Sequence, residues 1–166
     1  MSPRLLGALA ALATLTVDQA NKLWLIFSYG IEARQPVRLA PFFDVIYAKN
    51  PGISYSLLSA HSEAGRFALL ALTLTATAFL SVWLWRTRSP IVATGLGLIV
   101  GGALGNAYDR LAYGGVADFY HFHIGSFSWY VFNLADVAIV AGVLFLLYDS
   151  LFATRPAAEA ETITHR

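Results

Sequence analysis

The chain has 166 residues, of which 57% are hydrophobic and only 13% charged, against about 25% charged in an ordinary soluble domain. A formal net charge of +1 leaves no basic field for nucleic acid, and the lack of cysteine excludes disulfides, thiol catalysis and thiolate metal sites. The composition predicts an all-α membrane protein: a four-transmembrane-helix bundle with a small extramembrane β-sheet and loop, forming one domain over residues 1–153.

The first apolar segment spans residues 5–27. Arg4 ahead of it resembles the start of a signal peptide. However, Asp18, Gln19 and Lys22 interrupt the run and it resumes greasy and aromatic, so it reads as a retained helix. Asp18 and Lys22 are four apart, share a face and can pair, and Trp24 suits a membrane interface. Residues 28–65 are mixed and form the first extramembrane loop. Within them VRLAPFFDVIYAKN (37–50) has the β-branched and aromatic character of short strands, predicting a small sheet at the membrane surface. Asn50-Pro51-Gly52 reads as a turn, with residues 53–58 re-entering the membrane edge. The second helix, 67–85, holds no charge, and its threonines can bond back to their own backbone. After the short RTRSP connection comes the third helix, 91–108, whose glycines at 95, 97, 101, 102 and 105 permit close helix contact. Residues 109–128 form the second long loop and 129–152 the fourth helix. A polar tail follows at 154–166. Four crossings put both termini and the RTRSP loop on one side. Arg4, Arg86, Arg88 and Arg155 flank it, which marks that side as cytoplasmic.

On this topology the intramembrane polar groups converge at one depth. Asp18 and Lys22 lie in the outer part of the first helix, Asn106 and Arg110 at the outer end of the third. Asn133 and Asp136 lie in the outer part of the fourth, with Asp136 about seven residues in, roughly 10 Å along the axis. A carboxylate in an apolar segment is costly and needs a partner or a task. Asp118, in the second loop after Gly114-Gly115, can reach back to the same mouth. Two carboxylates a few ångströms apart share one proton. One can then activate water while the other donates to a carbonyl, which is aspartic-protease chemistry needing no metal or cofactor. Plainer readings stand beside this one. Asp136 can be an ion-pair partner of Arg110 or Lys22, Asp118 a solvated loop acid, and Asp109 a helix-end or surface charge. Arg110 can snorkel to headgroups or bind a carboxylate or phosphate. His121 and His123 flank Phe122 like a metal pair, but no third ligand is evident, which favours a surface role. At the level of function, a proton-coupled transporter or channel component and a non-enzymatic membrane scaffold remain as alternatives.

Four blocks then carry a family resemblance: DQANK at 18–22, NPGISYSLL at 50–58, GGALGNAYDRLAYGGVADF at 101–119 and SWYVFNLADVAIVAG at 128–142. With them the chain resembles the bacterial lipoprotein signal peptidases (signal peptidase II), over nearly its whole length. The resemblance implies a four-helix inner-membrane aspartic endopeptidase with its site near the periplasmic leaflet, cradled by a small periplasmic sheet. Such enzymes cleave prolipoproteins on the amino side of a diacylglyceryl-modified cysteine and are inhibited by globomycin. It implies Asp118 and Asp136 as the catalytic dyad. Asn106, Arg110 and Asn133 would line the site, Asn50 and Gly52 would match the outer-loop motif, and Asp18 and Lys22 would support the site. Prolipoproteins and membrane lipids are the implied partners, with no cofactor, no metal and a monomeric chain expected. Ile53, Ser54 and Tyr55 depart from the family's usual outer-loop residues, and Tyr130 stands where proline is common.

Overall fold

The computed structural model of the protein describes residues 1–52 and 63–152; the stretch expected to re-enter the membrane (53–58) and the polar tail (154–166) lie outside them. The described elements are α1 (Pro3–Leu23), a π-helical extension (Trp24–Tyr29), α2 (Ile31–Arg34), β1 (Val37–Ala40), β2 (Phe43–Asn50), α3 (Glu63–Arg86), α4 (Pro90–Tyr113), β3 (Val116–Ile124), β4 (Phe127–Ser128) and α5 (Leu134–Phe152). The result is a mostly helical membrane protein with a small open sheet. Among the described residues, three helices, in α3, α4 and α5, are long and apolar enough to cross a membrane; α1 carries Arg4, Asp18 and Lys22.

α4 is the central helix. Its contacts are with α1 on one side and α5 on another, and α3 also packs against it. Two stripes of small residues make this possible. Gly97, Gly101 and Gly105, four apart, face α1: a Cβ on Gly97 would run into the Gly7 carbonyl, one on Gly101 into that of Ala11, and one on Gly105 into the Asp18 carboxylate. Gly95 and Gly102 face α5, against the carbonyls of Gly142 and Ala135. Helices packed at backbone contact gain dispersion energy that lipid cannot match, because lipid tails do not fill such a seam. α3 is held more loosely, and its hydroxyls turn inward on its own backbone. Thr73, Thr77 and Ser81 each donate to the carbonyl four residues back, at 2.8, 2.7 and 2.7 Å.

One end of the bundle is tied by the arginine-rich side. Arg4 Nε donates to the Trp85 carbonyl at 2.8 Å. Ser89 caps α4 by accepting from the Val92 amide, and donates from Oγ to Asp149 at 2.7 Å. The other end carries the sheet, ordered β1-β2-β3-β4 and antiparallel throughout. Val45, Ala117 and Phe119 of the sheet pack against Leu25 and Ile31.

Several boundaries differ from the sequence expectation: α3 already begins at Glu63, inside the expected 28–65 loop and ahead of residue 67. α4 runs five residues past Tyr108, because Asp109, Arg110, Leu111 and Ala112 are all tolerable in a helix; the chain turns out only at Gly114, which takes the left-handed conformation at φ 73°. The second loop therefore starts later than residue 109, and much of it is not loop: β3 and β4 extend the sheet beyond the 37–50 segment. Finally, α5 starts at Leu134 rather than 129. Residues 129–132 instead run along β3, where the Phe132 carbonyl accepts from the Phe119 and Tyr120 amides (3.0 and 2.8 Å) and the Phe132 amide donates to the Tyr120 carbonyl at 3.0 Å.

Candidate active site

The shift of the α5 start changes what Asp136 is. It sits in the first helical turn, three residues after Asn133, and not seven residues deep as the sequence suggested. Asn133 and Asp136 form a reciprocal cap: Asn133 Oδ1 accepts from the Asp136 amide at 3.0 Å, and Asp136 Oδ2 accepts from the Asn133 amide at 3.2 Å. Helix amides that would otherwise be orphaned are thereby satisfied, and the positive end of the helix dipole faces the carboxylate. The next amide, Ala135, donates across to Asp18 Oδ1 on α1 at 3.0 Å.

Asn133 also reaches Asp118. Its Nδ2 donates to Asp118 Oδ1 at 2.6 Å and to Asn106 Oδ1 at 3.1 Å. Both amide protons and the carbonyl of this fully buried side chain are thus engaged. A single asparagine touches both carboxylates, Asp118 through its side chain and Asp136 through its backbone. Asn106 holds the other oxygen of Asp136, donating from Nδ2 to Oδ1 at 2.9 Å. Its own Oδ1 accepts from Asn133 and from Lys22 Nζ (3.2 Å), so its amide can face only one way.

Asp118 lies in β3 opposite Ala48 of β2. Two residues along the same strand face, Asn50 donates from Nδ2 to Asp118 Oδ2 at 3.1 Å. The Asn50 carbonyl oxygen accepts from the Gly52 amide at 3.1 Å, a side-chain turn across Pro51 that fixes the amide's direction. Asp118 is buried, not a solvated acid. Burial pushes its carboxyl up to about 6, opposed by the hydrogen bonds from Asn50 and Asn133 and helped by the neighbouring charge of Asp136.

Behind this layer lies a buried ionic cluster. Lys22, 2% exposed, pairs with Asp18 at 2.8 Å and with Asp109 at 2.7 Å, and its third proton goes to Asn106. Burying an ammonium costs several kcal/mol unless its protons are all placed, and here they are. Gln19 Nε2 lies 3.2 Å from Asp18 Oδ2, 3.0 Å from Asp109 Oδ1 and 3.2 Å from the Gly105 carbonyl. Asp109 Oδ2 also accepts from the Ala117 amide at 3.2 Å, which ties β3 to the helices. Asn21 accepts from the Tyr120 hydroxyl at 3.0 Å. Asp109, expected as a helix-end or surface charge, is thus buried and paired, and Gln19 and Asn21 join the cluster without having been named as site residues. The signal was available: Asp109 continues the Gly97-Gly101-Gly105 spacing of four and must face α1.

Asp18, Lys22, Asn50, Gly52, Asn106, Arg110, Asp118, Asn133 and Asp136 therefore join one connected network, while His121 and His123 stand outside it. Arg110 is at its border, donating from Nη1 to the Asn106 carbonyl at 3.2 Å, while its buried Nε has no hydrogen-bond partner among the described residues. No ion pair joins Asp136 to Arg110 or Lys22 among those residues; Lys22 is held by Asp18 and Asp109. Asp136 instead opens on an apolar groove of about 320 Å³ lined by Trp129, Phe132, Val137 and Val140, in which it is the one charged residue among those described. The arrangement offers two carboxylates of different surroundings, one burdened by burial and one at a helix N-terminus, beside a channel fit for a greasy segment.

Residues 10–152 match the family model described as signal peptidase (SPase) II. The lipoprotein signal peptidase of Methylocella silvestris is 74% identical over 157 residues, covering 95% of this chain and 92% of its own length. That of Beijerinckia indica is 68% identical, covering 90% of both chains. A solved bacterial membrane enzyme, determined in meso at 1.9 Å, has the same fold with a TM-score of 0.75 and 23% identity, over 89% of this chain and 94% of its own.

Proposed function

The chain belongs to the signal peptidase II family and is accordingly an aspartic endopeptidase that removes signal peptides from lipoproteins; we propose that Asp118 and Asp136 are its catalytic pair. The observation that carries this reading is Asn133, whose side chain and backbone hold one carboxylate each, with Asp136 at the edge of the apolar groove. The raised Asp118 is suited to keep a proton and polarise the scissile carbonyl. Asp136, aligned by Asn106 and the helix amides, is suited to take a proton from water. The water attacks, the tetrahedral species collapses, and the shared proton passes to the leaving amine.

The substrate chemistry is what the family resemblance implies. The bond cut is on the amino side of a cysteine bearing diacylglycerol. The signal segment lies along the groove beside α5, and the acyl chains remain in lipid, which fixes the bond's depth. Asn106, Asn133 and Asn50 are positioning residues. Gly52 sets the Asn50 turn, and Asp18 with Lys22 supports Asn106 and the start of α5. Arg110, whose Nε has no hydrogen-bond partner among the described residues, is suited to a substrate carbonyl or a lipid phosphate. The chain crosses the bacterial inner membrane four times, with α1 as the fourth crossing, both termini in the cytoplasm and the sheet and site at the periplasmic leaflet. A single chain supplies both acids, so a monomer suffices.

The test is cleavage of a diacylglyceryl-modified prolipoprotein by purified protein beside its Asp118→Asn and Asp136→Asn forms. Each substitution is expected to lower turnover by at least about 10³-fold with the protein still folded. Parental rates in either variant would remove the dyad.

A further inference from the structure

His121 and His123 leave β3 on the face opposite Asp118, since residues an odd number apart along a strand point to opposite sides. What the sequence did not offer them was a third ligand. Strand pairing supplies it. Asp44 of β2 stands directly across from His121 in the antiparallel register. One carboxylate oxygen of Asp44 and one ring nitrogen of each histidine all lie within 4.8 Å of one another. His123 Nε2 is 3.0 Å from Asp44 Oδ2, and the two imidazole rings are 5.2 Å apart. The second carboxylate oxygen, Asp44 Oδ1, is buried and has no hydrogen-bond partner among the described residues. Its nearest cation is Arg38 Nε at 3.6 Å, on a side chain 71% exposed that can swing into solvent. Among the described residues that long contact to an exposed arginine is all that meets this buried oxygen, which leaves it open to a closer ligand. The Ser128 hydroxyl of β4 lies 2.8 Å from His121 Nε2 and orients that ring, as outer partners of metal-bound histidines do.

We propose that Asp44, His121 and His123 form a site for a divalent transition cation, zinc by ligand chemistry, which pins β2 to β3 on the face of the sheet away from the two acids. Two neutral imidazoles and one carboxylate suit zinc with a water in the fourth position. Ligands about 2.1 Å from a tetrahedral ion stand about 3.4 Å apart, so the His123–Asp44 separation is already in range. Side-chain rotation of about 1 Å brings in the rest.

The experiment uses the full chain in detergent, without a polyhistidine tag, stripped with EDTA and titrated with Co²⁺ by visible absorption, followed by displacement with Zn²⁺. One equivalent of Co²⁺ is expected, with affinity at least about tenfold weaker in His121→Gln, His123→Gln and the isosteric Asp44→Asn. The remaining histidines of the chain, His61 and His165, provide the control: a variant lacking both keeps the parental titration. Peptidase activity of the sheet variants, measured beside the parent, reports that they are folded. Absence of a saturable Co²⁺ spectrum in the parent, or a titration unchanged by all three substitutions, overturns the site.

Discussion

Asp118 is the residue whose ionisation should govern the pH dependence of the reaction. Its folded value, about 6, lies above the ordinary carboxylate value of 3.8. The native protein therefore binds more protons than the unfolded chain between those limits. The group's contribution to stability is complete below about 4 and is lost as pH rises through 6. If Asp118 carries the shared proton, kcat/KM falls on the alkaline side as that proton is lost. The Asn50 hydrogen bond favours the charged form, so Asn50→Ala should move the alkaline limb upward by about half a unit to one unit. The readout is a pH–rate profile of the parent and variant; a limb that stays in place would separate Asn50 from the ionisation of Asp118.

At the scale of elements, the α1–α4 seam decides whether the ionic cluster forms. Gly101 packs against the Ala11 carbonyl with no room for a methyl group. Gly101→Ala should lower stability by about 1–3 kcal/mol through overpacking, whereas Leu144→Ala, on the exposed face of α5, should change it by less than about 0.5 kcal/mol. Midpoints of SDS-induced unfolding in mixed micelles measure both. The elements themselves were unevenly legible. The apolar runs marked α3 and α4 because nothing else explains such lengths of uncharged residues. The sheet was half visible: β2 is rich in β-branched and aromatic side chains, whereas β3 mixes Asp118, His121 and His123 into its pattern and reads as loop. The start of α5 was hidden for a different reason. Hydropathy runs on smoothly from Trp129, so the eye follows it, but Asn133 and Asp136 have the spacing of a capping pair, and that local chemistry sets the boundary. The residues of the site were legible because buried acids and amides are rare in such a background. Their wiring was not, since it depends on Asn133 facing two elements at once.

For the whole molecule, the segregation of polar groups to one end makes orientation testable. The chain contains no cysteine, so a single introduced thiol reports without background. Arg88→Cys, in the turn between α3 and α4, should resist a membrane-impermeant maleimide on intact cells and react after lysis. Phe42→Cys, between β1 and β2, should react in both. The reverse pattern would invert the proposed topology.

The continuity of residues 129–132 with α5 has a mechanical corollary. One carboxylate rides on the sheet, the other on the first turn of a helix long and apolar enough to span a bilayer, and Asn133 is the pivot between them. Anything that changes the tilt of α5 therefore alters the gap between the acids. Proteoliposomes made from lipids of graded acyl-chain length should show a turnover optimum where hydrocarbon thickness matches the helix, declining on both the thin and the thick side.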